Sequence, residues 1–134
     1  MREVRLDDAA LLATELMEFG GPMVGEKERF QVQFLLNDHR ATLAYESFPE
    51  NSTVNWAFWH DEVHVVTGGS AAVTYTLPPN HRKQVTKTFE AGQAYLIPNG
   101  TRARFDVGEA PYIHFCVIMP RFEYTKDERY DTYG

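Results

Sequence analysis

Glycine, proline and asparagine clusters interrupt this chain about every ten residues, and that punctuation constrains its fold more than any other feature. Asn37-Asp38-His39, Pro49-Glu50-Asn51, Gly68-Gly69, Pro78-Pro79-Asn80, Gly92 and Pro98-Asn99-Gly100 each favour a turn. The stretches between them are too short for most helices, and several alternate apolar and polar residues with period two, as Arg29 to Leu35 does. Strands are expected at Arg29–Leu35, Ala41–Ser47, Ala71–Leu77, Val85–Phe89, Ala94–Ile97, Arg102–Val107 and Tyr112–Met119, with Val54–Val66 as one long strand or two joined ones. Seven or more such strands predict an all-β sandwich or closed barrel. Near the N-terminus the pattern changes. Asp7 suits an N-cap, Leu12, Leu16 and Phe19 share one helical face, and Gly20-Gly21-Pro22 would end the helix.

The 134 residues suffice for one domain, with the barrel over about 28–120 and a polar, Tyr-rich tail over 121–134. That tail reads as an ordered flap or a frayed end. A net charge of −6 argues against nucleic-acid binding, and His81-Arg82-Lys83 reads as a solvated loop tip. No apolar run is long enough to span a membrane and no secretory signal opens the chain. The sequons at Asn51 and Asn99 then read as turns. One cysteine, Cys116, excludes a disulfide within the chain, and a cytoplasmic location is expected.

Two spacings narrow the fold. Glu62 is followed after six residues by Gly69, and Gly92 after five residues by Pro98, then one residue and Gly100. Together and in this order they resemble the two cupin motifs, a likeness covering about Val54 to Pro120. The resemblance implies a double-stranded β-helix, or jelly-roll barrel, with the motifs on facing strand pairs. It also implies a site the chain departs from. Metal-binding cupins carry histidines six and four residues before the glutamate, where this chain has Trp56 and Phe58, and another just after the last motif glycine, where it has Arg102 and Ala103. Only Glu62 transfers from that ligand set. The layout is also similar to ectoine synthase, which has a tyrosine corresponding to Tyr95 and a cysteine corresponding to Cys116. Small cupin polyketide cyclases and ring-cleaving dioxygenases are similar at the same level.

Strand parity supplies a separate argument. If Glu62 points inward, so do Trp56, Phe58, His60 and His64, provided no bulge intervenes. Two imidazoles and a carboxylate then share one face, a donor set that suits Fe(II), Zn(II), Mn(II) or Ni(II). Neighbours on that face are about 6–7 Å apart, so a ligand from another strand is expected. His114 is the first candidate, with Cys116 on its face, and Tyr95 the second. The candidate metal ligands are therefore His60, Glu62, His64 and His114. His60, Glu62 and Tyr95 are the candidate catalytic groups. Trp56, Phe58, Arg102 and Cys116 are the candidate substrate contacts. Each has a plainer reading: a hydrogen-bonded buried network for the histidines, core packing for the aromatics and Cys116, and an outward strand charge for Arg102, since Ala103 has the inward parity.

The expected function is that of a metalloenzyme acting on a small organic acid or phenolic compound by a lyase, isomerase, cyclase or dioxygenase step, without an organic cofactor. The alternatives are a metal-free cupin that binds a small molecule, and metal-free acid–base catalysis by His60 and Glu62. A homodimer is expected, because pairing removes an exposed sheet edge.

Overall fold

A computed structural model describes residues 1–20 and 27–120. The predicted tail over 121–134 and the Gly21-Pro22 helix stop lie outside the described residues. One helix, α1 (Asp8–Leu12), precedes ten strands: β1 (Met17–Gly20), β2 (Lys27–Asn37), β3 (Thr42–Phe48), β4 (Thr53–Ala57), β5 (Asp61–Gly68), β6 (Ser70–Thr76), β7 (Gln84–Glu90), β8 (Ala94–Ile97), β9 (Arg102–Val107) and β10 (Tyr112–Met119). All ladders are antiparallel. They build a six-stranded sheet in the order β1-β2-β3-β10-β5-β8 and a four-stranded sheet in the order β4-β9-β6-β7. The two sheets enclose one apolar core, the double-stranded β-helix that the resemblance implied.

One expectation needs correction and one open alternative is decided. The helix stops at Leu12, seven residues before Phe19, although Asp7 caps it as expected, accepting from the Ala10 amide at 3.1 Å. Leu12 and Leu16 are left exposed, and Phe19 instead lies on β1, stacked on Phe30 with ring centroids 4.6 Å apart. The short helix buries only Leu11, against Tyr45 and Ile113, whereas a strand places Phe19 against Phe30 and Trp56. The Val54–Val66 stretch is two strands, and these belong to different sheets. The break falls at Phe58-Trp59-His60, just past a last β4–β9 bond from the Phe58 amide to the Thr101 carbonyl at 2.9 Å. Inward parity nonetheless survives: Trp56, Phe58, His60, Glu62 and His64 are all buried, while Trp59 and Asp61 are exposed.

Gly69 shows why a motif position demands glycine. It has φ of +68°, and a Cβ there would stand 2.2 Å from the Pro111 carbonyl oxygen and 2.4 Å from that of Glu109. It forms the tight turn from β5 to β6, which carries the chain from one sheet to the other. No helix among the described residues is long and apolar enough to cross a membrane.

Candidate functional site

Register decides which side chains meet inside the barrel. In the six-stranded sheet, β10 lies between β3 and β5, and β8 flanks β5. Glu46 is opposite His114, Cys116 is opposite His64, and His64 is opposite Tyr95. Side chains directly across an antiparallel ladder stand about 4.5–5.5 Å apart at Cβ. One row of the sheet's inner face therefore becomes a polar belt running over four strands.

Glu62 anchors one end of the belt. Its two oxygens take the two neighbouring imidazoles separately: His64 Nε2 at 2.8 Å from Oε2 and His60 Nε2 at 3.3 Å from Oε1. Burial pushes the Glu62 carboxyl up, but the bonds from His60 and His64 more than reverse this and hold it below its usual range. A carboxylate only accepts, so His64 donates to it, and with a single proton on that ring the bonds beyond it take one direction. His64 donates from Nε2, and its Nδ1 then accepts from the Tyr95 hydroxyl at 3.0 Å. Tyr95 in turn accepts from the Tyr112 hydroxyl at 2.6 Å. Burial first, and then the neighbouring Tyr112, pushes the Tyr95 phenol well above its usual value, so both hydroxyls keep their protons.

A second carboxylate, Glu46, holds the other end. It was missed by the parity argument, which ran only along the strand holding Glu62. Ala44, Glu46 and Phe48 alternate on β3 in the same way, with a carboxylate in an otherwise apolar row. That row was the available signal. Glu46 Oε1 accepts from His114 Nε2 at 2.8 Å and from the Cys116 thiol at 3.0 Å. The His114 and His64 rings stack with centroids 4.4 Å apart and 22° between planes. Burial, reinforced by His64, lowers the pKa of His114 against the opposing pull of Glu46, so the ring stays neutral. Its Nδ1 is buried without a hydrogen-bond partner. Burial and the nearby carboxylates raise the Cys116 thiol well above its usual value.

One donor atom from each of Glu46, His64, His114 and Cys116 falls within 4.8 Å of the others. Of the four sequence-predicted metal ligands, the structure thus brings His64 and His114 into one group. His60 and Glu62 stand outside it, joined to it through His64. Imidazoles, a carboxylate and a thiol form a donor set for a divalent first-row ion, and the orphaned His114 Nδ1 is a buried donor atom with a lone pair or proton to satisfy. The residues present fit such an ion. Binding it requires His64 to exchange one of its two hydrogen bonds, and requires Cys116 to lose its proton.

The remaining candidates are placed as follows. Trp56 and Phe58 wall a cavity of about 30 Å³ beside Glu46, Glu62 and His64. Tyr95 joins the network by its hydroxyl. Arg102 is exposed on the outer face of β9, in a shallow groove with Asn55, Thr74 and Arg104, and does not enter the barrel. Strand alternation gives the inward position to Ala103 instead, which is 8% exposed.

No family model matches the chain, and no curated protein does. Solved structures do. The chain is similar to an RmlC-like cupin with a double-stranded β-helix fold from Methanocaldococcus jannaschii (TM-score 0.58, 11% identity, covering 78% of this chain and 89% of that one). It is similar to Drosophila melanogaster CENP-C bound to CAL1 (TM-score 0.59, 20% identity, 79% and 82%). It is also similar to Bacillus subtilis oxalate decarboxylase, a protein with Mn(II) centres (TM-score 0.58, 14% identity, 81% and 28%). The set thus joins a metalloenzyme to a protein held by a protein partner, so the likeness speaks for architecture and leaves the activity open. The chain thus has the double-stranded β-helix fold of these cupin structures.

Proposed function

We propose that the chain is a metal-dependent cupin enzyme acting on a small organic acid or phenolic compound. The observation that carries this reading is the closed quartet of Glu46, His64, His114 and Cys116, with its donor atoms within 4.8 Å of one another. Its thiolate favours Zn(II), Fe(II) or Ni(II) over the harder Mn(II). When bound, the ion supplies Lewis acidity or a place for O₂. The chain's own residues do the rest. Glu62 fixes the His64 ring and its tautomer, in the manner of carboxylates that orient ligand histidines. Tyr95 holds a proton at the rim of the network. His60 and Glu62 are the proton-carrying pair. Trp56, Phe58 and Phe105 keep water away from the polar belt, which strengthens each bond in it.

One observation favours a second reading, a metal-free ligand-binding cupin. Glu46 already satisfies both His114 Nε2 and the Cys116 thiol without an ion. Metal quantification on untagged protein separates the two. The metalloenzyme reading expects close to one ion per chain, lost in Glu46→Ala and His114→Ala and retained in Arg102→Ala. Protein that folds, binds small acids and carries no ion would establish the second. We also propose a homodimer formed through a sheet edge, which would remove its unpaired backbone groups from water. Light scattering is then expected to give a mass near twice 15.4 kDa, and a mass near 15.4 kDa would refute it.

A further inference from the structure

A second, larger cavity lies on the other side of Phe105. Its volume is about 390 Å³, against about 30 Å³ for the space beside Glu46, Glu62 and His64. A buried water needs about 10–15 Å³ on this measure, so the inner space takes an ion or two waters and no organic molecule. The larger one falls in the range of small-molecule sites, about 300–1,000 Å³. It follows the seam where the jelly roll is not closed: β7 ends one sheet, β8 ends the other, and no ladder joins them among the described residues.

The walls are specific. Tyr75, Phe89, Tyr95 and Phe105 supply aromatic surface, with the Phe89 and Tyr95 rings 4.2 Å apart at their centroids and 30° from parallel. Lys87 breaks the pattern. It lies on β7 between Val85 and Phe89 on the row that faces the core, opposite Val73, where parity calls for another apolar side chain. No acidic side chain pairs with Lys87 among the described residues, and the side chain is exposed, so the cavity carries a cation at its solvent-facing rim. A single compact ammonium over an aromatic slot matches a ligand with a flat apolar body and one negative charge. A dianionic phosphate would call for more than one cation.

We propose that this cavity binds an aromatic monocarboxylate, its ring between the aromatic walls and its carboxylate on Lys87. This names a substrate class for the enzyme proposed above, and it rests on that reading for the chemistry though not for the binding. Tyr95 connects the two. Its ring walls the larger cavity while its hydroxyl donates to His64, so a ligand there touches the outermost member of the buried network. Trp56 and Phe58, which line the smaller space, then serve the polar belt and not the substrate.

The test is titration calorimetry on the full chain with 3-phenylpropanoate, using 3-phenylpropan-1-ol and 3-phenylpropan-1-amine as uncharged and cationic controls. The acid is expected to bind at least about tenfold more tightly than the alcohol, and the amine more weakly than either. Lys87→Gln is expected to erase the advantage of the acid and Lys87→Arg to keep most of it. Edge strands often carry lysines that merely block aggregation. Lysine in that role would leave Lys87→Gln binding the acid as the wild type does, and that result, or no binding of the acid at all, overturns the assignment. Repeating the titration on chelator-treated protein distinguishes the two proposals. Lys87-dependent binding in protein that never carries an ion upholds the cavity and removes the metal, whereas stoichiometric metal without acid binding does the reverse.

Discussion

The two sheets of this barrel line one core with opposite chemistry. The six-stranded sheet contributes Glu46 from β3, Glu62 and His64 from β5, Tyr95 from β8, and Tyr112, His114 and Cys116 from β10. The four-stranded sheet faces them with Val54, Trp56, Ala71, Val73, Ala103 and Phe105, while its half-buried Tyr75 and exposed Lys87 stand at the outer cavity. Trp56 and Ala103 occupy positions at which metal-binding cupins carry imidazoles. Here those positions carry hydrocarbon, and the polar donors lie on the opposite wall. The difference teaches that polar groups can crowd one wall of a lumen when they satisfy one another. Here they do so through cross-strand neighbours, which no single strand could provide.

The comparison can be broken most forcefully from the apolar side. Phe105→Ala, at a residue 1% exposed, is expected to cost about 3–5 kcal/mol of stability by denaturant unfolding, while the folded fraction keeps its metal. Loss of metal at full stability would mean that the four-stranded sheet is part of the site. Gly69→Ala tests the turn that joins the sheets. Strain at positive φ and the clash with two carbonyl oxygens are expected to cost about 3 kcal/mol or more, and a loss below about 1 kcal/mol would show that the turn relaxes freely.

Acidification should weaken the polar wall in the metal-free protein. The unfolded chain protonates His114 near its ordinary value of 6.5, whereas the fold, by burying the ring, delays that protonation to lower pH. Stability should therefore fall as pH drops below about 6.5. Glu62, held below its ordinary 4.5 in the fold, adds a further loss as pH falls through its own range. Thermal melts between pH 8 and pH 4 will show this decline, and a flat profile would contradict the burial of these groups. The smallest effect belongs to Arg102→Ala, expected within about 0.5 kcal/mol and without influence on metal or ligand, because the side chain lies outside the barrel.

How much of this was legible in the sequence depended on the range of the interaction. Local rules served well. The strands Ala94–Ile97 and Tyr112–Met119 have the limits their turn signals indicate, and alternation from Trp56 to His64 holds through a break between sheets. Local rules also account for Gly69, whose conformation excludes a side chain. Pairing across strands was not legible. Glu46 is separated from His114 by 68 positions, and only the placement of β10 between β3 and β5 brings them together. The same holds for Phe19: its helical spacing with Leu12 and Leu16 was genuine, but burial against Phe30 outweighed it. Lys87 stood in plain view on a regular strand, and its meaning emerged only with the cavity around it.

X-ray absorption at the edge of the metal bound by untagged protein tests the central claim most directly, because Cys116 is the only cysteine in the chain. A single sulfur scatterer at about 2.3 Å beside imidazole nitrogens is the expected result, with the sulfur gone in Cys116→Ser. Folded protein with no metal, or with a metal whose coordination shell contains no sulfur, would contradict the claim that the chemistry of this barrel resides in Glu46, His64, His114 and Cys116.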